Sequence, residues 1–244
     1  MNNHISKFIM SAVMLLTFID ISAHDFEIDG IYYTVISPAN YTCCVSGISE
    51  DLDFSKEIII PSTVSFLGKS LTVTSVGKEA FSRSKISDIS LPNSCTTISS
   101  NAFYGCKSLK EITMPASITF IDYGAFMETD IKIVNISDLK AWCAIESESS
   151  PFSDSENTKL LLNGILVTTL NDEAISLIGK GAFANYQHIT EAYSGSKINT
   201  IGNHAFYGCK NLTKVYLGPN ISKIGSDAFN YCSNLSDLYI ADSD

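Results

Sequence analysis

Apolar residues fall along this chain in one order that repeats. The dipeptide Ala-Phe stands at 80–81, 102–103, 125–126, 182–183, 205–206 and 228–229, so that successive copies are separated by steps of 22, 23, 57, 23 and 23. Four positions before each Ala stands a β-branched apolar residue: Val76, Ile98, Ile121, Ile178, Ile201 and Ile224. Seven before it come Val73, Cys95, Ile118, Ile175, Ile198 and Ile221, and six or seven after it Ile86, Leu109, Ile131, Ile189, Leu212 and Leu235. Leu91-Pro92, Met114-Pro115 and Leu217-Gly218-Pro219 mark a common break. Alternation across Glu111-Ile112-Thr113-Met114 and Lys214-Val215-Tyr216-Leu217 predicts a short strand with one buried face. Pro then ends the ladder, because it has no N–H to donate. The Ala-Phe segment turns the corner, with Phe filling the interior and Ala permitting close approach.

One such unit cannot bury its own apolar face, so neighbours must stack. The pattern predicts a leucine-rich-repeat solenoid of the α/β-type repeat class, with short parallel strands, turns and little helix. It should be a single right-handed stack of about 23-residue units, a period inside the leucine-rich-repeat range. The Asn/Cys ladder of common leucine-rich repeats is missing, which marks a divergent subtype. Residues 24–57 lack the repeat and are expected to cap the N-terminal end. The repeats then occupy 58–244. The one long step, from Ala125 to Ala182, exceeds two periods. The surplus is assigned to the polar run near 146–157, as a surface loop on an otherwise continuous stack.

The stretch Ile89-Ser-Leu-Pro-Asn-Ser-Cys-Thr-Thr-Ile98, continuing to Ala102-Phe-Tyr-Gly-Cys-Lys-Ser-Leu109, resembles the BspA-like leucine-rich repeat of bacterial surface proteins. Asp25-Phe-Glu-Ile-Asp-Gly-Ile-Tyr-Tyr33 is similar to that family's N-terminal opening. Ile136-Ser-Asp-Leu-Lys-Ala-Trp-Cys143, with Leu160-Leu-Leu-Asn-Gly-Ile-Leu-Val167, is similar to its long insertion. The resemblance covers nearly everything after Ala23. It implies an exported, cell-surface or secreted recognition protein of anaerobic bacteria, with adhesin roles in some members. It carries over no catalytic residue.

The N-terminal stretch 1–23 bears on the compartment. Lys7 precedes the largely apolar run Phe8–Ile19, and Asp20-Ile21-Ser22-Ala23 follows. This succession predicts a secretory signal peptide, residues 1–23, cut after Ala23. As a helix the run would span about 18 Å, short of a hydrocarbon core of about 30 Å. No later apolar run is long enough to cross a membrane, so the mature chain is expected to be secreted or at the cell surface, without a transmembrane segment.

Composition then narrows the function. With 45% hydrophobic and only 17% charged residues, the chain is not disordered throughout. Its 16 Lys and Arg against 26 Asp and Glu give a net charge of −10. Nucleic acid is not an expected partner, since phosphate binding rests on Lys/Arg surfaces. An extracellular protein or glycan is, preferably neutral or basic.

Seven cysteines in an exported chain raise the question of pairing. Cys106, Cys209 and Cys232 share one repeat position, four after the Ala of Ala-Phe, and Cys95 stands in an Ile column. They are expected as buried free thiols in an interior ladder, although a stacking distance of about 5 Å lies within reach of a bridge. There is no Cys-x-x-Cys, and Cys43-Cys44 has no His nearby, so no metal is expected. His4, His24, His188 and His204 share no motif with a nucleophile and an acid. Asp88, Glu111, Glu191 and Asp237 read as a solvated strand edge rather than a glycosidase pair. Without catalytic residues or a cofactor, no enzyme is predicted.

One column stands above this background. Tyr193, Tyr216 and Tyr239 recur at the repeat period and alternate with inward positions at Ala192/Ser194, Val215/Leu217 and Leu238/Ile240. They are expected to form an exposed three-rung aromatic column, a candidate ligand face with Lys214 and Glu191 beside it. Tyr suits recognition because it adds rigid area with a polar tip. The competing reading is a self-stacking ladder that only stabilises the sheet. The leading functional expectation is a non-catalytic binding or adhesion module. The alternative is a structural surface protein that self-assembles through its open repeat end.

Overall fold

A computed structural model describes residues 24–53, 57–152, 157–171 and 173–241; the leader reading, 1–23, lies outside them. The repeats stack into a β-solenoid of about seven turns with almost no helix. Each turn adds a rung to two parallel ladders. The first ladder runs through Ile58–Ile59, Ile89–Ser90, Glu111–Thr113, Ile133–Ile136 and Lys159–Leu162, then through Thr169–Leu170, Glu191–Ser194, Lys214–Leu217 and Asp237–Ile240. The second runs through Lys69–Val76, Thr97–Ile98, Phe120–Ile121 and Glu146–Ser147, then through Leu177–Ile178, Thr200–Ile201 and Lys223–Ile224.

At the N-terminal end, Phe26–Ile28, Ile31–Ser37 and Thr42–Ile48 form an antiparallel meander. Its last strand pairs in parallel with Lys69–Val76, so the meander continues the second ladder. Tyr33, Cys43 and Val45 are buried in the same apolar core as the first repeats.

The inward columns close on one another. Phe81, Phe103 and Phe126 stack at 5.3 Å, and Phe183, Phe206 and Phe229 at 5.5 and 5.4 Å, all nearly parallel. The cysteine column is interior, and none of the seven cysteines is joined in a disulfide. Each column thiol also donates to the Phe carbonyl of the preceding turn: Cys106 to Phe81 at 2.9 Å, Cys209 to Phe183 at 3.0 Å, Cys232 to Phe206 at 3.1 Å. Thr190 and Thr213 hydroxyls likewise donate one turn back, to the carbonyls of Thr168 and Thr190.

The Ala-Phe corner depends on backbone geometry that composition hides. The residues one before and three after each Ala take positive φ, between 55° and 69°. Glycine fills four of these twelve positions (Gly105, Gly124, Gly181, Gly208); Glu79, Arg83, Asn101, Glu128, Asn185, His204, Asp227 and Tyr231 fill the rest. An L-residue is disfavoured there by roughly 1–2 kcal/mol. Offsetting this is a ladder of inter-turn bonds, such as Phe81 N–H to Ala102 O at 2.8 Å and Phe103 N–H to Ala125 O at 2.9 Å.

The long step differs from the expected surface loop. Glu146–Ser147 pairs in register with Phe120–Ile121, as a rung of the second ladder. Five positions on, as Phe126 follows Ile121, comes buried Phe152, so Pro151-Phe152 occupies the Ala-Phe register. The additional chain lies in the helix Leu139–Cys143 and in the hairpin of Lys159–Leu162 with Ile165–Leu166; residues 153–156 lie outside the described residues. Asp138 caps the helix by accepting from Ala141 N–H at 2.9 Å.

Nor are the ladders continuous here. The first is also unpaired between Ile89–Ser90 and Glu111–Thr113, and both break beyond the inserted turn, where packing joins the halves: Phe152 stacks on Tyr186, whose hydroxyl donates to Val167 O at 2.6 Å. Gly179 N–H reaches Cys143 O at 2.7 Å, and a Cβ on Gly179 would lie 2.0 Å from Ile145 O.

Candidate ligand face

The outer face of the first ladder carries the columns that could meet a partner. Strand pairing sets Tyr193 opposite Tyr216 and Tyr216 opposite Tyr239. Their rings stack at 4.4 and 4.6 Å, with planes within 4° and 7°. Tyr193 and Tyr216 are half-buried and Tyr239 is exposed. Ala192, Val215 and Leu217 point inward and are buried, as the alternation requires.

The last described turn departs from that expectation. Leu238 and Ile240 are 54% and 69% exposed, where Val215 and Leu217 one rung earlier are at 1% and 3%. Side chains of an inward column are covered by the rungs on both sides, and among the described residues no rung follows this one.

Glu191 is the hub of the face. It accepts the Tyr193 hydroxyl at 2.6 Å through one oxygen, and Lys214 Nζ lies 3.4 Å from the other. The Tyr193 bond, then the Lys214 charge, hold the Glu191 carboxyl below the usual carboxylate range. The same bond to the carboxylate pushes the Tyr193 phenol up to about 12. Lys214 is raised by its contact with Glu191. Asp237 stands opposite Lys214 in register. The structure thus brings together all five residues singled out in the sequence.

Sequence reasoning took Asp88 and Glu111 only as a solvated strand edge and passed over Glu57, which adjoins them in a second region of this face. Glu57, Asp88 and Glu111, on neighbouring rungs, line an open depression of about 580 Å³ with Ser90, Lys110 and Thr113. Asn135 donates to Glu111 at 2.6 Å, and Lys110 pairs with Asp130 at 2.9 Å. The step of 23 from Asp88 to Glu111 was legible as the strand period, whereas the step of 31 from Glu57 to Asp88 was not: Glu57 joins the column through the pairing of Ile58 with Ile89. On the corner, Arg83 lies over Tyr104 at 5.5 Å, and the Tyr104 hydroxyl donates to Glu128 at 2.5 Å.

Among the described residues no group of three His, Cys, Asp or Glu side chains is placed to hold a metal ion, and no helix is long and apolar enough to cross a membrane.

The model of the BspA type leucine-rich repeat region matches residues 54–159 and 164–243, in six copies. No curated protein matches the chain. Solved structures similar to it include a leucine-rich repeat protein from Bacteroides ovatus, 19% identical, with 89% of this chain and 77% of that one covered at a TM-score of 0.37. The T. pallidum leucine-rich repeat protein is 18% identical over 88% of this chain and 81% of that one, with a TM-score of 0.46. A leucine-rich cell surface protein from Faecalibacterium prausnitzii is 14% identical over 89% and 95%, with a TM-score of 0.32.

Proposed function

The chain belongs to the BspA-type leucine-rich repeat family, and from that premise we propose that it is an exported, non-catalytic binding or adhesion module. In this reading residues 1–23 are a signal peptide, 24–57 an N-terminal cap, and the repeats from 58 onward display the ligand face. The observation that carries it is the outward column Tyr193, Tyr216 and Tyr239, in register on three neighbouring strands with Lys214 and Glu191 beside it. As a purely structural ladder each cross-strand Tyr pair would contribute about 0.2–1 kcal/mol, whereas at a recognition surface Tyr concentrates rigid contact area with a polar tip.

The test is Tyr193→Ser, Tyr216→Ser and Tyr239→Ser together, with a binding isotherm and a thermal melt on the same protein. Hot-spot tyrosines contribute about 2 kcal/mol or more each, so binding is expected to fall by several decades. A lowered melt with unchanged binding would leave the column as scaffold.

A second reading, self-assembly through the last described turn, draws on the exposed Ile224, Leu238 and Ile240.

A further inference from the structure

The stacking that builds the tyrosine face limits what it can hold; the inference below rests on reading that face as the ligand face. With rings 4.4 and 4.6 Å apart and almost parallel, both faces of Tyr216 are covered, as is one face each of Tyr193 and Tyr239. A sugar packs on an aromatic by laying its C–H groups across an open ring face. Here Tyr216 has no such face, and only the outer faces of Tyr193 and Tyr239, at the two ends, are left outside the stack; between them the column turns ring edges and hydroxyls to solvent. The Tyr193 proton is committed to Glu191, so its oxygen can only accept.

Charge points the same way. The patch holds two carboxylates, Glu191 and Asp237, against the one ammonium of Lys214. Further along the ladder Glu57, Asp88 and Glu111 line the open depression of about 580 Å³. The chain carries −10 overall. Acceptors and negative charge select a partner that brings donors and positive charge.

We propose that this face takes an extended basic segment of a partner protein, with Lys or Arg side chains directed to Glu191 and Asp237 and backbone N–H groups to the tyrosine oxygens, and that it does not take a glycan.

The test probes the mature chain against short unstructured peptides graded in Lys and Arg content, beside an oligosaccharide array. Binding is expected to rise with peptide charge and to weaken with salt, because exposed charges are screened within about 10 Å at 0.1 M. Glu191→Gln with Asp237→Asn should weaken the best peptide about tenfold, at an unchanged melting temperature. Capture of oligosaccharides in place of basic peptides, or peptide binding indifferent to the charge pair, overturns the inference. If that binding is still lost in the triple Tyr→Ser variant, the ligand face itself stands. Basic peptides bound equally by the triple variant overturn both, and an array with no basic peptide bound overturns the inference.

Discussion

Replacing Phe103 by Ala tests how the stack is held together. The ring is fully buried and lies between Phe81 and Phe126, 5.3 Å from each and nearly parallel to both. Deleting a buried Phe costs about 3–5 kcal/mol, the larger figure where the site cannot collapse. Collapse is opposed here because the flanking turns are tied by Phe81 N–H to Ala102 O at 2.8 Å and Phe103 N–H to Ala125 O at 2.9 Å. Each stacked pair adds about 0.5–1.5 kcal/mol, part of it already within that figure. We therefore expect a loss of about 4–5 kcal/mol. Phe229 provides an internal comparison: it is half-buried and, among the described residues, stacks on Phe206 alone, at 5.4 Å. Its replacement by Ala should cost about 1–2 kcal/mol, from the smaller area returned to water. Urea unfolding followed by circular dichroism, with slopes compared between variants, reads both. A solenoid unfolds as a nearest-neighbour chain, so a changed slope would signal that one half has uncoupled. Equal losses at the two positions, or a loss below about 1 kcal/mol at Phe103, would refute the account of a close-packed Phe ladder.

Gly208→Ala should lower stability by about 2–3 kcal/mol in the same assay, from left-handed backbone plus a steric clash: φ is +68° and the added Cβ would lie 2.2 Å from Asn185 Oδ1. Glu79→Gly, at φ 58°, relieves strain and should raise stability by about 0.5–1 kcal/mol. Burial pushes the Cys43, Cys95 and Cys232 thiols up to about 11, so iodoacetamide at pH 8 should label them only after unfolding. Because their folded values are raised from 9.0, their contribution to stability is complete below pH 9 and is lost as pH climbs towards 11, which a series of melts from pH 8 to 11 will register. N-terminal sequencing of protein recovered outside the cytoplasm should begin at His24; intact Met1 in the cytosol would refute export.

The periodic part of this structure was legible in the sequence because a stack of like turns converts sequence period into spatial neighbourhood. Residues one period apart meet, so Phe183 and Phe206, Cys209 and Cys232, and Tyr193, Tyr216 and Tyr239 could be placed in columns from their spacing alone. Wherever period fails, that translation fails with it. Glu146–Ser147 and Phe152 belong to the stack, but Pro stands where Ala is usual, and the pairing with Phe120–Ile121 joins positions farther apart than one period. The left-handed corners were only partly visible: Gly, Asn, Asp and His at some of them favour positive φ, but Glu79, Arg83, Glu128 and Tyr231 do not. There the ladder of bonds between turns overrides local propensity. Glu191 as the anchor of both Tyr193 and Lys214, and the covering of both faces of Tyr216, depend on side-chain directions and on separations of 2.6 to 4.6 Å. Sequence spacing specifies which residues share a face; only the packed structure decides which of their atoms are already engaged with one another and which remain for a partner.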